Sequence, residues 1–156
     1  MARAKTPSSQ SRPGRHVPRP RVARTAGTAA EARRAYARVR ALCLGHAGVY
    51  EKEAWSEPTF RVERGKMFLM FADNHHGDGR TAFWCMATPD AREAFIAVDA
   101  ERFFVPPYVG PSGWIGVRLE GDVPWDMVEE IIADAARLGS PAAGAPSKSD
   151  RIRRKA

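Results

Sequence analysis

"TFRVERGKMFLMFADNHHGDGRTAFWCMA", residues 59–87, is the stretch on which the fold turns. Its first run, 59–62, alternates, placing Phe60 and Val62 on one side and Thr59 and Arg61 on the other. Arg64-Gly65 offers a short turn into the apolar run 66–73. The polar segment 74–79 then turns the chain into a third run, 80–87. Three strands in succession are predicted.

Working outward, Thr28 and Glu31 form a T-x-x-E capping box that predicts a helix start. Ala35, Tyr36, Val39, Leu42 and Cys43 recur on one helical face, with Arg33, Arg34, Arg38 and Arg40 opposite, and Gly45 and Gly48 end the helix. Beyond the three strands, Thr88 is an N-cap with Pro89 at the first helical position. Ala91, Ala94, Phe95 and Val98 give this second helix an apolar side. Residues 102–105 and 114–119 read as two further strands, and Pro124 opens a last helix. Trp125, Val128, Ile131, Ile132, Ala135 and Leu138 face its core side, and Gly139 and Pro141 stop it. The order α-β-β-β-α-β-β-α implies an α+β, two-layer fold: an antiparallel sheet with helices on one face. No internal repeat is visible.

The chain carries a net charge of +7, which on its own has the look of nucleic-acid binding. Its distribution changes that reading. Residues 1–27 hold seven basic residues and no acid, and residues 148–156 hold five against Asp150. Residues 28–147 keep 13 basic and 17 acidic side chains, a net of −4. The positive excess therefore belongs to the ends. Segment 1–27 is poor in large apolar residues and rich in Arg, Pro and Ser, so it is expected to be a disordered basic tail. Its prolines argue against the amphipathic helix of a transit peptide. Residues 141–156 read as a second flexible basic tail, leaving 28–140 as one domain. Nothing approaches a membrane span of about 18 apolar residues, and no secretory h-region is present. Cys43 and Cys85 lack disulfide or metal spacing and read as buried thiols, so a cytoplasmic location is expected.

"WSEPTFRVERGKMF" (55–68) and "YVGPSGWIGVRLEGDVPWDMVEEIIADAARL" (108–138) together resemble the MmcQ/YjbR family of small bacterial α+β proteins. The likeness covers roughly residues 30–140 and neither tail. It departs at Pro124, where a polar capping residue is expected before the tryptophan. The resemblance implies a fold similar to frataxin-like and secretion-chaperone-like domains. Members are commonly labelled DNA-binding, but that label brings no base-reading or catalytic residues to carry across. Iron would follow only by fold analogy.

Candidate chemistry is sparse. Alternation over 114–119 sets Ile115, Val117 and Leu119 on one face and Trp114, Gly116 and Arg118 on the other. If helices cover a single face, Trp114, Arg118 and Arg61 share the open one, and Tyr108 joins them from the loop. Arginines beside aromatics can track phosphates and stack bases. Phe103, Phe104 and the Pro106-Pro107 pair read as core and connector. Arg33, Arg34 and Arg38 would suit phosphates, although charges on an outer helix face are usually only solvated. His75, His76, Asp73 and Asp78 lie in what reads as a solvated turn, because adjacent histidines diverge where a metal needs convergence. Glu51, Glu53 and Glu57 are read as solvated loop acids ahead of the first strand. No nucleophile motif or phosphate-cradling loop appears. The expectation is a non-enzymatic protein, without metal or cofactor, that binds DNA with little sequence preference and is aided by its tails. The alternative is a protein- or peptide-binding module using the open sheet face. Oligomeric state stays open.

Overall fold

The computed structural model describes residues 26–141, and side chains from residue 29. The two basic terminal segments, read from sequence as tails, lie outside the described residues apart from their inner edges. Along the chain come α1 (Ala26–Leu44), β1 (Val49–Ala54), β2 (Glu57–Val62), β3 (Met67–Asp73), β4 (Thr81–Cys85), α2 (Pro89–Val98), β5 (Phe103–Phe104), β6 (Ile115–Arg118) and α3 (Trp125–Gly139). One six-stranded sheet in the order β1-β2-β3-β4-β6-β5 is antiparallel throughout.

The α+β, two-layer reading holds, with one strand more than the sequence predicted. Val49–Ala54, taken as loop, pairs with β2 along its whole length from Val49↔Val62 to Ala54↔Glu57. As an edge strand it carries exposed Lys52 and Glu53, charges that discourage pairing with another chain. Helix α1 begins at Ala26, so Thr28 lies inside it and is not its N-cap. Thr88 does cap α2, its hydroxyl accepting from the Ala91 N–H at 3.3 Å. Pro124 precedes α3 without a side-chain cap. Val98 and Leu138, expected to face the core, are exposed.

All three helices pack on the same sheet face. Val39 and Cys43 of α1 and Val128, Ile132 and Ala135 of α3 meet Phe60, Phe71, Phe83, Ile115 and Val117, with Phe95 and Ile96 of α2 at the margin. Between β2 and β3 the register jumps from Phe60↔Leu69 to Arg61↔Met67, leaving Phe68 as the extra residue of a bulge. Phe68 and Leu69 therefore both enter this core despite being neighbours.

The opposite face is apolar too. Met70, Ala72, Trp84 and Trp114 form a second buried cluster, bordered by Met67, Met86, Phe104 and Val109. Here no α-helix provides the cover. The β5–β6 connection crosses this face, and α2 pins it: Arg92 donates to the carbonyls of Gly110 (2.8 Å) and Trp114 (3.3 Å). Phe104 of β5 lies across Gly116 of β6, and the Arg80 guanidinium stacks on that ring at 4.4 Å.

Candidate functional site: an aromatic pocket on the second sheet face

Between the sheet and its loop cover lies a pocket of about 450 Å³. Its floor is Met67 and Met70 of β3, Trp84 of β4 and Trp114 at the entry to β6. Tyr108 and Val109 of the β5–β6 loop form one wall. Trp55, from the β1–β2 turn, and His75 and His76, from the single-turn 3₁₀ helix His75–Gly77, complete it.

The mouth is built from backbone that these residues seldom adopt. Trp55 and Ser56 are the two residues linking paired Ala54 and Glu57, and both have positive φ (54° and 62°). Positive φ at both central positions is the signature of the type I′ hairpin turn, which normally selects Asn-Gly. His76 (φ 51°) and Tyr108 (φ 65°) are left-handed as well. Strain of this kind costs about 1–3 kcal/mol per residue and clusters at working sites. Trp55 is 70% and Tyr108 75% exposed, so two large rings stand in solvent on strained supports.

Deeper in, His75 Nδ1 lies 3.3 Å from Glu57 Oε1, and both side chains are largely buried. Burial is the main cause holding the Glu57 carboxyl above the usual range, with His75 pulling the other way. The His75 ring stands edge-to-face on Trp84, centroids 4.9 Å apart, and His76 contacts Tyr108 similarly at 6.0 Å. Trp84 is 2% exposed, and its indole N–H is buried with no hydrogen-bond acceptor. It is the one such side-chain atom among the described residues.

The sequence-predicted site residues separate here. Trp114 and Tyr108 meet at the pocket, but Trp114 is buried floor and not a free platform. Arg61 is adjacent, its guanidinium 3.8 Å from Met67 Sδ and 3.4 Å from Thr59 Oγ1. Arg118 is elsewhere, paired with Glu120 at 2.7 Å beside Asp99, Glu101 and Arg102. Arg33, Arg34 and Arg38 lie on α1, across the sheet, where Arg38 stacks on Trp125 at 4.5 Å. The seven residues thus do not form one surface.

Two further readings are corrected. Of the turn read as solvated, Asn74, His76 and Asp78 are exposed, but His75 folds back onto the sheet, where Trp84 offers an apolar seat for its imidazole. The three acids lie in strands: Glu57 pairs with His75, while Glu51 accepts from the Tyr36 hydroxyl and meets Arg40 at 3.4 Å. Burial first, then Glu51, pushes the Tyr36 hydroxyl up to about 12. Trp55, Met67, Met70, Trp84 and Val109 were missed as site residues. Sequence signalled Met67, Met70 and Trp84 only within apolar strand runs, and Trp55 only as the start of the stretch that carries the family resemblance.

The YjbR family model matches residues 44–138, spanning β1 to the last turn of α3 and every pocket residue. The chain belongs to the YjbR family. No curated protein matches it. This YjbR chain shares its fold with the crystal structure of Deinococcus radiodurans protein DR2400, a DUF419 domain, at TM-score 0.60 and 15% identity over 76% of this chain and 86% of that one. At that identity the likeness speaks for the fold alone. No helix among the described residues is long and apolar enough to cross a membrane.

Proposed function

We propose that this YjbR-family protein is a non-enzymatic binder of nucleic acid with little sequence preference. Its basic ends supply the attraction, and the aromatic pocket supplies the contact. The observation that carries this reading is the pocket mouth, where Trp55 and Tyr108 are held exposed on strained backbone beside buried Trp84 and Trp114. Nucleic-acid binders without sequence preference combine positive charge with aromatic platforms. Here the two functions are divided, since residues 28–147 are net −4 and the ends hold 12 of the 25 basic residues. Arg61 and Arg80 stand on the pocket face as short-range phosphate partners. Both thiols are buried and pushed well up by desolvation, which gives a nucleophilic reaction no foothold.

The test is fluorescence anisotropy of a labelled single-stranded oligonucleotide over a salt series, comparing the full chain with a variant whose 12 terminal Lys and Arg residues are Gln. Affinity should fall with a log–log slope of roughly −0.7 per phosphate neutralised, and the variant should lose most of both affinity and slope. A salt-insensitive complex would refute the division of labour.

A second reading has its own observation. The net-acidic domain repels nucleic acid, and exposed Trp55, Tyr108 and Val105 form apolar surface of the kind that meets protein partners. In that case Tyr108→Ala abolishes capture of a protein partner and leaves oligonucleotide affinity unchanged.

A further inference from the structure

We propose that the outer face of α1 is a second contact, at which Arg33, Arg34 and Arg38 hold the phosphate backbone of duplex DNA and carry the basic run of the N-terminal sequence onto the folded domain. This rests on the nucleic-acid reading above and adds to it a surface on the side of the sheet opposite the pocket.

Residues 1–44 carry 11 basic side chains and a single acid, Glu31, whereas residues 45–147 carry nine basic and 16 acidic ones. The electrostatic border of the chain is therefore the end of α1, and this helix belongs by charge to the sequence before it. A basic helix on an acidic body complements a polyanion and confines it to that helix. The neighbouring α3 reinforces the limit with exposed Asp126, Glu129 and Glu130. Not every α1 arginine is free. Arg40 meets Glu51 at 3.4 Å and is neutralised. Arg33 and Arg34 are exposed and have no carboxylate partner among the described residues. Arg38 lies over the Trp125 ring at 4.5 Å, which orients the guanidinium without cancelling its charge. From Arg33 to Arg38 the helix rises about 7.5 Å, roughly two steps of 3.4 Å along a DNA strand, so three long side chains reach neighbouring phosphates. The rest of the face selects among polyanions. Ala35, Val39 and Cys43 are spent against the sheet, and the exposed apolar residues of α1 are only Ala37 and Ala41. Such a face has nothing to sink into a bilayer. Nor does it offer an exposed ring on which unpaired bases would stack. It suits a duplex, whose bases are hidden and whose phosphates present one charge per about 1.7 Å.

The experiment uses the full chain and a short fluorescein-labelled duplex of mixed sequence, with anisotropy read over a salt series. Arg33→Gln with Arg34→Gln removes two phosphate partners, so the log–log salt slope should become shallower by about 1.8 and affinity at about 0.1 M salt should fall at least about tenfold. Glutamine matches arginine closely in helix propensity, so the fold is kept, as circular dichroism will verify. Arg33→Lys with Arg34→Lys keeps both charges and should retain most of the affinity and the slope. Arg64→Gln with Lys66→Gln takes the same charge from the exposed β2–β3 turn and should leave the slope nearly unchanged. On a single strand of the same length the loss from the α1 variant should be smaller, since the slope per phosphate is about −0.7 there; a larger loss would overturn the duplex assignment. Equal losses in the α1 and turn variants would reduce the effect to net charge, overturning the α1 contact and leaving the nucleic-acid reading standing. Absence of binding to duplex and single strand alike would remove both. Displacement of the duplex by polyglutamate of equal charge would overturn the proposal in favour of an acidic protein partner.

Discussion

Trp55 offers a test that isolates the backbone from the ring. Consider Trp55→Gly and Trp55→Ala, each compared with the other and not with the parent. Both delete the same indole, so the lost packing is common to the pair and cancels. What differs is the cost of holding φ at 54°. A residue with a Cβ spends about 1–2 kcal/mol in the left-handed region, and glycine spends almost none. Against this, alanine has the less flexible unfolded chain, worth about 0.4–1 kcal/mol in its favour. The balance predicts that the glycine variant is the more stable by about 0.5–1 kcal/mol, reversing the order seen at an ordinary strand or helix position. For a domain of this size that separates the thermal midpoints by roughly 2–4 °C, Gly above Ala. Urea and thermal unfolding followed by circular dichroism read it directly. If the alanine variant proves equal or more stable, residues 55–56 do not form a left-handed turn in solution. The argument that strain presents the ring at the pocket mouth then fails.

Two further substitutions probe the pocket face. A Cβ placed on Gly116 would lie 2.4 Å from two Phe104 ring carbons, so the ring must retreat by about 1 Å to reach ordinary contact. Gly116→Ala should cost about 1–3 kcal/mol in urea unfolding, and adding Phe104→Leu should recover about half; full additivity of the two would refute the contact. Glu57→Gln keeps a carbonyl to accept from His75 and removes the desolvated charge. Because burial raises the folded-state pKa of Glu57, its stability contribution is fully present below the unfolded value and is lost as pH rises through the folded one. The Gln variant should therefore be more stable than the parent at pH 7, and the advantage should vanish in acid below the normal carboxylate range. A less stable variant at neutral pH would show that His75 outweighs burial.

How much of this was legible in sequence depended on how local the signal was. Helix α3 and strands β2 to β4 were readable because their apolar residues recur at the period of one element. Strand β1 was not, since an edge strand needs only one buried side and spends its other positions on charge; Tyr50, Lys52 and Glu53 break the pattern. Its turn was equally silent, because Trp-Ser carries none of the Asn or Gly chemistry that announces a type I′ hairpin. The face assignments of Trp114 and Arg118 were right, and the inference that this face was open was half right. What covers it is a loop, and a loop's path over a sheet is set by long-range contacts such as Arg92 to Gly110 that no spacing encodes. The same blindness hid His75, whose place over Trp84 exists only once β3 and β4 are paired.

The pocket itself follows from that asymmetry. Strand β4 is buried at every position and β3 at all but its ends, so the centre of this sheet is apolar on both faces. A two-layer fold has helices for one face only. The other must be shielded by connecting chain, which cannot pack as a helix does because its backbone donors and acceptors need partners at each step. Here those needs are met by short turns and by Arg92, which holds the Gly110 and Trp114 carbonyls. Cover of that kind bridges a surface without filling the space beneath it. The remaining volume is lined by the large side chains that strand alternation had already turned that way: Met70, Trp84 and, at the head of β6, Trp114. A binding site at this position is thus a consequence of the sheet pattern. The arginines of α1, on the helical side, do not share its surface.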